Sequence, residues 1–349
     1  PVDFESNVDV DVTVTAFDIY GNLGQADATT TATENVAPSI SNVALTDDTD
    51  GNDVVADGDS VTISADVTDA GTGVKTVEAD LSAFGGSETA TLDSGEGDTY
   101  TTTVDSVTGS DADAEAVDVT ATDGAGNADT TTSDALEIDN TAPTQESVTL
   151  TDDGNGVVAD GDDVTISTTI TDADVASVEA DASAFGAGTN VELTNGGSGD
   201  VYTKIITVAT SGANTASATV DVTATDGAGN ADTTTSDALE IDNTAPSISA
   251  VNLDNDGSGN VALSFDSDET LNSISVTVEN PSDGTLTTLD ETDFTESQGT
   301  YTLDTTVAYE ADGEYEVFVN DAIDDAGNNG GNNGESTALS DTYGYTAAA

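Results

Sequence analysis

The sequence contains no cysteine, histidine, methionine or tryptophan. Without cysteine, no disulfide can staple the fold and thiol chemistry is absent. Without histidine as well, the commonest general bases, nucleophile pairs and zinc ligands are missing. Lys75 and Lys204 are the only basic side chains, so no basic patch can be assembled, and nucleic acid and anionic membranes are repelled as partners. Nothing resembles a signal peptide, and no apolar run approaches the roughly 18 residues that cross a bilayer. No membrane insertion is expected within this segment. The chain opens at Pro1-Val2-Asp3 without an initiator methionine and reads as a mature or excised part of something longer. A carboxylate pair could still cleave glycosides, yet repeats without a large aromatic-lined cleft make poor sugar sites, and no enzyme is expected.

What is present is acid. The 349 residues carry 70 Asp and Glu against 2 Lys and Arg, a formal net charge of −68. Self-repulsion on that scale opposes a compact state in ordinary buffer. At molar salt the Debye length shrinks to about 3 Å and the repulsion is largely screened. The composition resembles that of proteins from halophilic archaea, where carboxylates hold a hydrated surface. High charge with only 4% aromatics is also a signature of disorder. Against disorder stands a regular apolar pattern.

That pattern repeats. The stretch from Val117 to Pro143, VDVTATDGAGNADTTTSDALEIDNTAP, recurs letter for letter from Val220 to Pro246, 103 residues on. A looser copy precedes both: Val14, Thr15, Ala16, Asp18, Gly21, Asn22, Asn35, Ala37 and Pro38 each match a residue 105 positions later. Inside the repeats VTISADVTD (61–69) answers VTISTTITD (164–172), and VALSFDSDE (261–269) keeps the plan in a divergent last copy. Self-similarity at such a period marks tandem units. The expected domains are 37–141, 142–244 and 245–349. Residues 1–36 match only the rear of a repeat, either the end of a truncated domain or strands that complete a neighbouring molecule.

Alternation is strict. Val61, Ile63, Ala65 and Val67 alternate with Thr62, Ser64 and Asp66; Val117, Val119 and Ala121 alternate with Asp118 and Thr120. A period of two predicts strands with one buried and one wet face, and the Gly, Asn and Asp clusters at their ends predict turns. Only the acidic segment 108–116 is expected to form a helical turn. About seven short strands per hundred residues predict an all-β chain of tandem immunoglobulin-like sandwiches arranged as an elongated rod. Phe84, Phe185, Tyr100, Tyr202 and Tyr301 are the expected aromatic core. The D-G-A-G-N hairpin, the D-N-T-A-P junction and the G-x-Y-T strand resemble those of the Ig-like repeats in bacterial and archaeal surface adhesins and surface-layer glycoproteins. That resemblance implies an extracellular protein on a cell surface.

Carboxylates and amides recur where such repeats meet. A hard cation such as Ca²⁺ needs 6–8 oxygen ligands. Two loops at one end of a sandwich lie close together, and the incoming linker is expected to pass beside them. This predicts three metal sites: Glu34, Asn35, Asp69, Asp123 and Asn127; Asp139, Asn140, Asp172, Asp174, Asp226 and Asn230; and Asp242, Asn243, Asp266, Asp268, Asp324 and Asn328. The D-N-T-A-P linker is similar to the calcium-binding linker of cadherins, from which Glu34-Asn35-Val36 departs. The competing reading is that Asp and Asn serve as turn formers. A weaker second set is Asp47, Asp48, Asp50, Asp152, Asp153, Asp254 and Asp256, in turns that echo an EF-hand loop without its final Glu.

The function expected is structural: a filament, layer or stalk subunit of a halophile, stiffened by Ca²⁺ and paired with copies of itself or other surface proteins. The alternative is an adhesin or virion fibre that contacts a host or neighbouring cell. The only Asn-x-Ser/Thr sequence, Asn280-Pro281-Ser282, is disqualified as a glycosylation acceptor by its proline.

Overall fold

The computed structural model describes residues 8–32, 34–49, 51–152, 154, 156–172, 174–197, 199–280, 284–331 and 340–346. Asp50 and Asp153 of the weaker metal set, and Pro281 and Ser282, lie outside the described residues. The protein is all-β: among the described residues the only helical elements are three 3₁₀ turns. Two compact units form. The first comprises residues 1–143 with the loops 172–176 and 225–231, and the second comprises 144–171, 177–224 and 232–349.

Within the first unit, one sheet runs Ser39–Asp47, Val61–Thr68, Thr99–Val104, Asp93–Ser94. The other runs Ala128–Thr132, Asp118–Asp123, Val74–Ala79, Ala90–Thr91. This is the strand order of the immunoglobulin sandwich. Alternation decides which face is inside: Val61, Ile63, Ala65 and Val67 from one sheet and Val77, Val119 and Ala121 from the other meet in a single core. Phe84 closes it, wholly buried at the end of a 3₁₀ turn over Ser82–Phe84. Tyr100 stays half-buried at its margin. The segment expected to turn helically instead contributes a strand, Ala112–Glu115, paired with Leu136–Ile138. Its alternating residues find a ladder partner there, and a lone helical turn would satisfy few backbone groups.

Val54–Val55 pairs parallel with Leu136–Ile138, and the first two strands of the unit form a hairpin. Val8–Phe17 pairs with Leu23–Ala32 in an unbroken antiparallel register from Val8 opposite Ala32 to Phe17 opposite Leu23.

The second unit repeats the sandwich order. Thr144–Gln145 and Thr149–Thr151 both pair with Asp163–Thr171, which is followed by Val201–Thr207 and Thr194–Asn195. Phe185 is fully buried and Tyr202 half-buried, as in the preceding copy. The divergent copy, Ile248–Tyr345, packs two four-stranded sheets around Phe265, Tyr301 and Tyr315. Phe265 stacks on Tyr301 with ring centres 5.2 Å apart. The Tyr315 hydroxyl accepts from the Glu310 and Ala311 N–H groups and donates to the Ala311 carbonyl. That is the tyrosine corner of immunoglobulin-like sandwiches.

Candidate metal centres

Two D-G-A-G-N turns, 123–127 and 226–230, and the D-D-A-G-N turn 324–328 build the same clasp. At the first, Asp123 is fully buried, and its Oδ1 accepts the N–H groups of Ala125, Gly126 and Asn127. Its Oδ2 accepts the Asn127 side-chain amide at 2.7 Å. That amide also reaches the backbone carbonyl of Glu34. At the second, the Asn230 amide binds Asp226 Oδ2 at 3.0 Å and the Asp139 carbonyl at 2.9 Å. At the third, Asn328 binds Asp324 Oδ2 at 3.0 Å and the Asp242 carbonyl at 2.9 Å. A turn aspartate thus orients an asparagine, and the asparagine holds the linker. The turn-forming role of these residues is thereby joined to a hydrogen bond that holds the linker.

Around the first clasp, Glu34 is 2% exposed and accepts the Thr72 hydroxyl. Burial, followed by the adjoining Asp123 carboxyl, pushes Glu34 up. Burial also pushes Asp123 up, but the Asn127 side chain, the Glu34 carboxyl and the N–H groups of Asn127 and Gly126 outweigh it and hold Asp123 at about 2. Asp69 Oδ2 accepts Gly71 and Gly73 N–H groups, while its Oδ1 is buried without a hydrogen bond. A buried carboxylate oxygen with no donor is a costly arrangement that a cation relieves. Asn35 is exposed.

Around the second clasp, the Asp174 carboxyl is pushed up by desolvation, then by Asp172, Asp226 and Asp139. Asp174 lies so close over Gly227 that a Cβ there would meet its Oδ2 at 2.7 Å. Asn140 looks elsewhere: its Oδ1 accepts the Asp57 N–H, its Nδ2 donates to the Gly109 carbonyl, and its own N–H binds Asp111.

The third cluster converges most closely. Ligand oxygens of Asp242, Glu269 and Asp324 all lie within 4.8 Å of one another, the one such group of three among the described residues. They line an open cleft of about 150 Å³ with Glu240, Thr270 and Asp325. Burial, followed by the charges of Asp324, Asp242 and Asp268, pushes Glu269 up. Like charges held this close favour a proton or a cation among them. Asp266, expected in the site, accepts the Thr300 hydroxyl across its own sheet. Asp268 accepts the Ser247 N–H. Asn243, like Asn140, pins the linker, through the Asp160 N–H and the Ala213 carbonyl.

Glu269 was missed from the sequence, although alignment of VTISADVTD with VALSFDSDE puts it at the place of Asp69. Of the described residues in the weaker set, Asp47, Asp152, Asp254 and Asp256 accept from N–H groups of their own turns, and Asp48 bonds across strands. Asp47 accepts Thr49 and Gly51 N–H groups, Asp48 the Thr62 hydroxyl, and Asp152 the Gly156 N–H. Asp254 accepts the Asn255 N–H, and Asp256 those of Ser258 and Asn260.

The fold defines a chain of tandem immunoglobulin-like sandwiches whose linkers carry acidic residues. No family model and no curated protein matches it. Among solved structures, a Ca²⁺-stabilised adhesin with which an Antarctic bacterium binds ice is 22% identical, over 91% of this chain and 78% of that one, with a TM-score of 0.43. A four-repeat stretch from the extending region of a large adhesion protein is 23% identical, over 97% and 81%, with a TM-score of 0.34. The titin I-band fragment I67–I69 is 14% identical, over 81% and 93%, with a TM-score of 0.36. Likeness at this level transfers neither activity nor ligand.

Proposed function

We propose that this chain is a structural, non-catalytic stretch of an extracellular protein working in concentrated salt, in which Ca²⁺ bound at the linker clusters stiffens successive repeats. The observation that carries this reading is the approach of Asp242, Glu269 and Asp324 to within 4.8 Å. Those residues belong to the linker and to two loops of the following repeat, so an ion bound to all three ties the linker down. Domains joined by short linkers otherwise move independently. The repeats 37–141, 142–244 and 245–349 act as the folding units, with 1–36 the rear of a further one. Glu269 joins the three sets, in which Asn140, Asn243, Asp266 and Asp268 also hydrogen-bond elsewhere. Near-identity of two repeats suits a spacer in a stalk, filament or adhesin arm better than it suits individual recognition sites.

The test is small-angle scattering of the full chain in about 2 M monovalent salt, where screening is short-ranged. Adding Ca²⁺ should lengthen and narrow the distribution of interatomic distances, and a chelator should reverse it. Identical profiles with and without Ca²⁺ would end the stiffening claim.

A further inference from the structure

We infer that the loop around Asn52 is a second, ion-independent latch, through which one repeat docks on the turn 226–230 of the repeat that follows. The Asn52 side-chain amide donates to the Gly227 carbonyl at 2.5 Å, across 175 residues of sequence. Both groups belong to the first compact unit, which takes in the loops 172–176 and 225–231 of the next repeat. The bond differs in kind from the clasp. Asn230 holds Asp139, a linker residue, whereas Asn52 extends from a loop of the preceding sandwich itself. A linker held at one point still lets the sandwich behind it swivel. A second bond, made by that sandwich away from the linker, opposes the swivel.

The loop is built to present this amide. Gly51 and Asp53 flank Asn52 with φ of 75° and 70°, the left-handed region that glycine enters freely and aspartate tolerates. Asn52 Oδ1 accepts the Val54 N–H, which leaves the Nδ2 end of the amide to the Gly227 carbonyl. Asp47 Oδ2 holds the Gly51 N–H, and the Asp53 carbonyl accepts the Glu137 N–H. Val54–Val55 then pairs with Leu136–Ile138, the strand that runs into the linker. With the loop fixed on both sides of Asn52, docking orders little that was free. The asparagine recurs in sequence: Asn155 stands two residues before Val157-Val158, as Asn52 stands before Val54-Val55. Charge explains the choice of donor. In a chain with 70 acids and 2 basic residues, acidic surfaces can be joined only by cations or by neutral donors, and an amide is the latter.

The chain has no cysteine, so Glu88→Cys and Thr189→Cys, at exposed positions on successive repeats, carry spin labels without competition. Dipolar distances between the labels are recorded on the full chain in about 2 M salt with a chelator. The parent should show one dominant, narrow distance. Asn52→Asp keeps an acceptor for the Val54 N–H but has no donor, and Asn52→Ala removes both. Either should lower the ratio of docked to swung seams about three- to tenfold, the worth of one net hydrogen bond. Unchanged distributions in both variants overturn the inference. A change in only one variant also overturns it, because added charge or a disordered loop, not the lost donor, then moves the seam. Ca²⁺ added to the parent reads the stiffening claim separately: no narrowing there, with the Asn52 effect intact, ends that claim and leaves the latch.

Discussion

The side-chain amide of Asn230 donates to the backbone carbonyl of Asp139, 91 residues earlier, at 2.9 Å. The same amide is aimed by Asp226, itself buried beneath a tight turn. A turn-forming motif is thereby converted into a linker clamp, and it recurs with Asn127 and Asn328. Asn230→Ala should leave a carbonyl without its donor and cost about 1–3 kcal/mol. The check is the denaturant midpoint at high salt; a midpoint equal to the parent's removes the clamp from the account.

Glu269 and Asp266 separate geometry from composition. Both are acidic and three residues apart, but only Glu269 approaches Asp242 and Asp324, while Asp266 is spent on Thr300. Glu269→Gln should weaken Ca²⁺ binding at that cluster roughly tenfold or more. Asp266→Asn should leave it unchanged. Calorimetric titration at fixed salt distinguishes them, and equal effects would contradict the assigned ligands.

Acid should loosen the linkers before it unfolds the cores. Asp160 is held below the usual carboxylate range by the N–H groups of Thr210 and Gly212, and Asp111 by the Thr141 hydroxyl and the Asn140 N–H. A folded value below the unfolded one, about 3.9, means the unfolded chain binds more protons in that window. The stabilisation is present above about pH 4 and fades as pH falls through the lowered folded values. Asp111→Asn, which removes the carboxylate that holds linker residues Asn140 and Thr141, should flatten that acid limb in melts recorded between about pH 5 and 2. A limb of unaltered slope argues against the anchoring role.

Low salt should unfold the chain. With divalent ions chelated and monovalent salt below roughly 0.5 M, the repulsion among 70 acids is no longer screened. Circular dichroism should lose its strand signal and regain it on adding salt. An unchanged cooperative melt at about 0.05 M would contradict the salt-dependent reading.

The fold was legible because strand alternation is a local property. Val61, Ile63, Ala65 and Val67 had to share a face, and a buried face needs a second sheet. Asp123, Asp226 and Asp324 with their asparagines were equally legible, since a turn and its cap are set within five residues. The rest depended on distance in space. Asn140 and Asn243 lie in the linker motif, yet their amides serve Asp57 and Asp160, 83 residues back in each case. Asp266 sits inside the strand Val261–Ser267, where alternation turns it toward Thr300. Glu269 lies just past that strand's end, where the chain is free to bend toward Asp242 and Asp324. Composition and period therefore determined by themselves that the chain is a series of acidic sandwiches. Which carboxylates meet was decided only by the tertiary structure, because a two-residue period fixes the face a side chain takes and not the direction of the loop that follows.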